Sequence, residues 1–190
     1  MPIKDAKPGA RTALRSLGAG ALLDIGFYTL TWASMILDAS PSRILANDPK
    51  ISSSMIFHSE TDPEGKVDEQ VAVVLTYTDL KAQAVCTASM LHKTPDEFAR
   101  VIGSKGIISV VGPAASKPSS LIVKVSGQEE LVLDFEVPGW GFHYEADAVA
   151  EDIKAGRKEN QICPLNETLK VMSWIDAARA QCGLVYPQEE

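Results

Sequence analysis

The sequence predicts an α+β fold, an open, mostly antiparallel β-sheet of about seven strands with helices packed on one face. Three observations lead there. A helix-length apolar stretch opens the chain, short β-branched runs divided by turn residues fill its middle, and two segments with apolar residues at three- and four-residue steps close it. The apolar face of a sheet must be covered, so helices grouped before and after a block of strands cover one face and leave the other for a lid or a partner.

Ala21 to Leu37, entered through Leu17-Gly18-Ala19-Gly20, is apolar on nearly all sides and reads as a largely buried helix. Asp24, Gly26, Thr29, Thr31 and Ser34 interrupt it and would be costly in a bilayer, so no membrane span is read. Pro41 and Asn47-Asp48-Pro49 end the helix, because a residue before proline avoids the helical region and Asn/Asp support turns. Ile51, Ser53, Met55 and Phe57 then alternate with polar neighbours, and Glu60 to Lys66 is a turn-rich link to the β-branched run Val71 to Tyr77. This is a hairpin pattern.

Ala82 to Leu91, Phe98 to Ile102, Ile107 to Val111, Leu121 to Val125 and Leu131 to Val137 continue as strands, separated by Ser104-Lys105-Gly106, Gly112-Pro113, Lys117-Pro118 and Ser126-Gly127. Thr94-Pro95-Asp96-Glu97 would also suit a helix start, which leaves Phe98 to Ile102 open between two readings. Tyr144 to Lys154 returns to helical spacing and stops at Gly156, able to take a left-handed cap. Asn166 caps a second helix in which Leu169, Met172, Ile175, Ala178 and Cys182 recur, closed by Gly183.

A length of 190 residues suits a basic arm over 1–17 followed by one domain over 18–190. Lys4, Lys7, Arg11 and Arg15 lie in that arm without an apolar h-region, so it reads as a frayed extension and not a secretory signal. The net charge of −7 argues against a nucleic-acid partner. Cys86, Cys163 and Cys182 lie far apart, an odd set that fits a reducing, cytoplasmic setting and frames neither a disulfide scaffold nor a zinc knuckle. His58 and His92 have no Cys, His or Asp at ligand spacing, so no metal is expected.

Asp24 and Tyr28 sit four residues apart, stacked on one helix face, and Trp32 extends the stripe. A carboxylate can orient a phenol for proton transfer, and an apolar helix has no structural need for a carboxylate. The competing reading has Asp24 satisfying backbone donors and Tyr28 packed. Gly18-Ala19-Gly20-Ala21-Leu22-Leu23 begins like a dinucleotide fingerprint, but Leu23 stands where the third glycine belongs and no strand precedes it, so no cofactor site is read. Trp140-Gly141-Phe142-His143-Tyr144-Glu145 combines aromatic surface, a group titrating near neutrality and a carboxylate at a strand-to-helix junction. Trp140 and His143, with Trp32, are the candidate substrate-binding residues. Sheet-edge packing and helix-dipole complementation by Glu145 are the structural alternative.

Gly18-Ala19-Gly20-Ala21-Leu22-Leu23-Asp24-Ile25-Gly26-Phe27-Tyr28 resembles the glycine-led helix of the Gfo/Idh/MocA oxidoreductases. Gly141-Phe142-His143-Tyr144-Glu145-Ala146-Asp147-Ala148-Val149 with Ala155-Gly156-Arg157-Lys158-Glu159-Asn160 resembles their late helix and loop. Pro164-Leu165-Asn166-Glu167-Thr168-Leu169 and Cys182-Gly183-Leu184-Val185-Tyr186-Pro187 are similar to the D-xylose dehydrogenase and dimeric dihydrodiol dehydrogenase branch. The resemblance implies the substrate lobe of that family, an open sheet with helices on one face that also forms a dimer surface. It implies Tyr28 as acid/base and Asp24 as its companion. Seventeen residues precede Gly18, whereas a Rossmann lobe needs about 120. The Glu-Lys-Pro motif of relatives has no counterpart, since Ser116-Lys117-Pro118 falls in a later loop.

The expected function is therefore a stand-alone, cofactor-independent derivative of the substrate lobe, which would isomerise, dehydrate or cyclise a hydroxylated or carbonyl small molecule through Tyr28 and Asp24. One alternative is the C-terminal part of an NADP-dependent D-xylose or dihydrodiol dehydrogenase, with NADP held by a separate Rossmann domain. The other is a non-catalytic dimerising module. A homodimer through the open sheet face is expected in each case.

Overall fold

Val71, Val73, Leu75 and Tyr77 are buried on one side of a single strand, and the first layer of the fold is built on them. The computed structural model describes residues 11–38, 48–58 and 67–189. Where one domain over 18–190 is expected, the chain groups into two compact units, residues 1–93 with 168–190, and residues 94–167.

In the first unit, β1 (Lys50–His58), β2 (Val67–Tyr77) and β3 (Ala82–Ser89) form an antiparallel sheet in the order β1-β2-β3. The period-2 pattern sets the register: Ile51 faces Leu75, Ser53 faces Val73, and Val73 faces Cys86. One extra residue, Glu69, breaks the β1–β2 register between Ile56 and Phe57, so Phe57 pairs with Asp68. The link over Glu60 to Lys66 lies outside the described residues.

The stretch from Arg15 to Leu37 is long and apolar enough by length and composition to cross a membrane. In this fold Ala19, Ala21, Leu22, Leu30 and Ala33 are buried in the hydrophobic core instead. The expected helix runs unbroken from Ala21 to Leu37 but is not α-helical throughout: Leu22–Gly26 is a π-helical turn, in which the Phe27 N–H reaches the Leu22 carbonyl, and α1 (Phe27–Leu37) follows directly. Pro41 lies outside the described residues, and α1 ends at Leu37 before it. Of the basic arm, residues 1–10 also lie outside. Its remainder is not frayed, because Arg11–Ala13 and Arg15–Leu17 form two short 3-10 turns with Ala13 and Arg15 buried. Arg15 Nη1 donates to the Val185 carbonyl at 2.7 Å.

The last helix, α3 (Leu165–Cys182; α2 lies in the second unit), buries Val171, Trp174, Ile175 and Ala178 in the same core. Both α1 and α3 cover the face of the sheet that carries Ser53 and Cys86: Ser53 Oγ donates to the Ala178 carbonyl at 2.9 Å, and Cys86 Sγ reaches the Thr29 carbonyl at 3.4 Å. Gln181 also grips the outer edge of β1. Its amide accepts the Ser53 N–H and donates to the Ile51 carbonyl, each at 3.0 Å. Beyond α3, Arg179 holds Glu189 through two nitrogens at 2.8 Å and lies over the Tyr186 ring, which fixes the C-terminal segment.

The second unit holds β4 (Glu97–Gly103), β5 (Gly106–Val111), β6 (Ser120–Val125) and β7 (Leu131–Asp134), an antiparallel sheet in chain order. The expected seven strands are thus present, divided between a three-stranded and a four-stranded sheet. Thr94-Pro95-Asp96-Glu97 starts no helix, since the Asp96 carbonyl accepts the Gly112 N–H at 2.8 Å and ties the segment to the end of β5. After β7 comes α2 (Phe142–Lys154). α2 and α3 both stop at a glycine in the left-handed region, Gly156 at φ 70 and Gly183 at φ 69. Asp152 on α2 accepts from Arg157 Nε and Asn160 Nδ2, each at 2.7 Å, which folds the loop after α2 back on the helix. Those two partners hold its carboxyl below the usual aspartate range.

Leu75 and Ile175 have no exposed surface. Leu75→Ala or Ile175→Ala is expected to cost about 2–5 kcal/mol of unfolding free energy in urea titrations, whereas Val85→Ala on the bare face of β3 should stay within about 0.5 kcal/mol.

Candidate functional site

Asp24 sits in the π-helical turn and Tyr28 in the first turn of α1, which also carries Trp32. Their side chains do not form the hydrogen-bonded pair that the spacing invites: no bond joins Asp24 and Tyr28 among the described residues. Asp24 Oδ1 accepts from Arg11 Nη2 at 2.6 Å. A guanidinium outcompetes a phenol for a carboxylate, because the charge-assisted bond is about twice as strong as a neutral one. Tyr28 is 49% exposed and turns its ring edge-on to Phe27, 6.1 Å between centroids. Its hydroxyl is thus open to a ligand, while Trp32 is half-buried on the same helix.

The segment leading into this helix is held from β2. Asp68 has no exposed surface and accepts the Leu22 N–H at 2.7 Å. The extra residue at Glu69 accounts for its position: strand alternation counted back from Val71 would put Asp68 outward with Ala72, and the bulge returns it to the buried side. Burial pushes its carboxyl up to about 6, against the opposing pull of the Leu22, Asp68 and Ala21 backbone N–H groups. Gly20 stands beside it at φ 125, and a Cβ there would come within 1.8 Å of Asp68 Oδ1. Tyr186, buried in the C-terminal segment, has its phenol pushed above the tyrosine range by burial and by Asp68.

The second unit brings Trp140 and His143 together at the start of α2. Trp140 is 61% exposed, with Lys117 Nζ 5.2 Å from its ring centre, and that same ammonium donates to the Gly139 carbonyl. The His143 and Tyr144 rings lie 4.1 Å apart. An exposed indole beside a cation is a surface on which a hydroxylated ring can stack. Sequence reasoning missed Arg11, Asp68 and the Lys117–Trp140 contact. The first two are long-range partners, and Lys117 is brought to Trp140 by the β5–β6 turn, where Ala114 bridges Lys117. Among the described residues no group of three His, Cys, Asp or Glu could hold a metal ion.

Gly18 and Gly20 do not form a nucleotide cradle. Among the described residues no strand leads into them, and the space at Gly20 that a pyrophosphate would need is taken by a carboxylate of the same charge sign. The residues present therefore do not fit a dinucleotide at this position.

A family model described as the GFO/IDH/MocA C-terminal domain matches residues 2–109. The chain belongs to the Gfo/Idh/MocA family. It is 32% identical over 188 residues to a trans-1,2-dihydrobenzene-1,2-diol dehydrogenase of Xenopus tropicalis, covering 93% of this chain and 51% of that protein. It is 27% identical over 185 residues to the D-xylose 1-dehydrogenase (NADP(+)) of Hypocrea jecorina, covering 90% of this chain and 46% of that one. The Gfo/Idh/MocA chain thus spans about half the length of these curated relatives. Among solved structures, an oxidoreductase from Sinorhizobium meliloti aligns with TM-score 0.63 at 14% identity, over 86% of this chain and 50% of that one. A super-repressor mutant of Gal80p from Saccharomyces cerevisiae aligns with TM-score 0.66 at 12% identity, over 95% and 51%. At such identities the structural likeness concerns the fold alone.

A raised folded-state pKa makes the Asp68 contribution complete below the ordinary aspartate range and lost as pH rises through about 6. Unfolding free energy should therefore decline between about pH 4 and pH 7 by on the order of 3 kcal/mol from this group, and Asp68→Asn should flatten that decline in urea titrations.

Proposed function

We propose that this chain is the substrate side of a pyridine-nucleotide-dependent dehydrogenase acting on a sugar or a cyclic diol. The observation that carries the reading is the alignment of 93% of the chain with one half of a dihydrodiol dehydrogenase. On this reading the hydride partner, NADP, is held by a Rossmann domain outside the residues described, and what this chain supplies is proton handling. Tyr28 exchanges a proton with the carbinol or carbonyl oxygen of the substrate. Arg11 on Asp24 leaves the phenol as the free polar group of that helix face and fixes the turn below it. Trp140, His143 and Lys117 offer a separate stacking surface to a hydroxylated ring.

The dehydrogenase reading is favoured over a cofactor-independent isomerase. A self-sufficient acid–base pair needs Asp24 at the phenol, and the Asp24 carboxylate is engaged by Arg11. We also propose self-association through the apolar side of the four-stranded sheet. Ile108, Leu131 and Leu133 lie there exposed, on the same side as Val110, Leu121 and Val123.

The test combines the chain with a nucleotide-binding half taken from a dihydrodiol dehydrogenase and follows NADPH formation from D-xylose and from a trans-diol. Tyr28→Phe is expected to lower kcat by about 10²–10⁴-fold while ligand affinity, read by titration of the chain alone, changes little. Turnover undiminished by Tyr28→Phe would overturn the assignment of the phenol. Sedimentation should show a dimer that Leu133→Lys dissociates, and a chain that is monomeric before that substitution would exclude the self-association.

A further inference from the structure

A wholly buried carboxylate unused by any proposed chemistry needs a reason, since burial of a charge is costly unless its bonds are replaced. Asp68 has no Lys, Arg or His nitrogen within ion-pair distance among the described residues. Its neighbours with titratable groups are committed elsewhere. His58, facing the start of β2, bonds Glu69 at 2.8 Å. In the C-terminal segment the charge of Asp68 helps to push up the phenol of buried Tyr186, whose own surroundings are the Arg179–Glu189 pair.

What Asp68 does bond is the start of the helix. The first N–H groups of a helix have no partner within it, and a side-chain oxygen from the preceding residue ordinarily takes one. Here the preceding residue is Gly20, which has no side chain, and the oxygen comes from 46 residues away on β2. Gly20 leaves room for it: any larger residue would meet Asp68 Oδ1. The amide so held, Leu22, is the first residue of the π-helical turn, and its carbonyl receives the Phe27 N–H that defines the widened turn. The Asp24 N–H closes on the Gly20 carbonyl at 3.2 Å.

We propose that Asp68 is the positioning residue of the Tyr28 helix: its carboxylate caps the segment from β2, fixes the π-helical turn against Gly20, and thereby sets where Asp24 and Tyr28 point. The functional sense of this rests on Tyr28 being the proton-transfer group; the positioning itself does not. Asparagine can keep the acceptor for Leu22, because the second carboxylate oxygen, Oδ1, has no hydrogen-bond partner, whereas alanine removes the cap.

The experiment is backbone NMR on the purified full chain as wild type, Asp68→Asn and Asp68→Ala, with a D-xylose and a trans-diol titration of each. In Asp68→Ala, amide exchange from Leu22 to Tyr28 is expected to quicken by about ten-fold or more relative to β5 and β6, with Asp68→Asn restoring it to within about two-fold of wild type. In the wild type the Leu22 amide shift should follow a titration with a midpoint of about 6 that Asp68→Asn abolishes, a measurement that holds even where Asp68→Ala does not fold. Exchange accelerated equally throughout the first unit, or a Leu22 amide blind to pH, would overturn the proposal. If no Tyr28 signal responds to either ligand in wild type, the dehydrogenase reading fails while the exchange pattern still decides the role of Asp68.

Discussion

The bond between the Asp68 carboxylate and the Leu22 amide is the constraint on which the first unit depends. It joins a strand to the start of a helix 46 residues away in sequence, at a point where both are buried, and so couples the sheet to the segment that bears the candidate chemistry. Its cost is visible in the raised affinity of that carboxyl for its proton. Gly20 and Glu69 are each explained by it: one by the space it yields, the other by the bulge that turns Asp68 inward. A helix whose first turn is tied down from outside carries its later residues at a fixed rotation, which proton transfer to a bound oxygen requires.

Family membership and fold leave the chemistry to be argued from particular side chains. The same architecture aligns with an oxidoreductase and with Gal80p, so the sheet and helices alone decide nothing about catalysis. The exposed phenol of Tyr28 and the alignment with one half of a dihydrodiol dehydrogenase are what support the proposed proton-transfer role. The carboxylate in the space at Gly20 points away from a nucleotide at the glycine-led segment.

Much of this fold was legible from local pattern. Alternation over Ile51 to Phe57 and the β-branched run from Val71 to Tyr77 gave the hairpin, and three- and four-residue spacing gave α2 and α3, because periodicity is a property of neighbours in the chain. The π-helical turn was not legible, since it depends on a residue of β2 that no window around Leu22 contains. Asp68 itself was hidden by the bulge, which breaks the alternation by which an inward residue is recognised. The division into two sheets was equally invisible, because each strand has the same signature whichever sheet receives it. At the site, the four-residue step correctly put Asp24 and Tyr28 on one helix. It could not reveal that Arg11, in a stretch expected to fray, would take the carboxylate first.

Gln181 has a consequence for the growth of the first sheet. With its amide seated on the Ile51 carbonyl and the Ser53 N–H, a helix side chain stands in for a length of neighbouring backbone at the rim of β1. An intruding polypeptide arriving on that side finds two of its docking groups already occupied. Lateral recruitment into this layer is thereby steered toward β3, and the hairpin is guarded by a residue that the helix contributes at its own last turn.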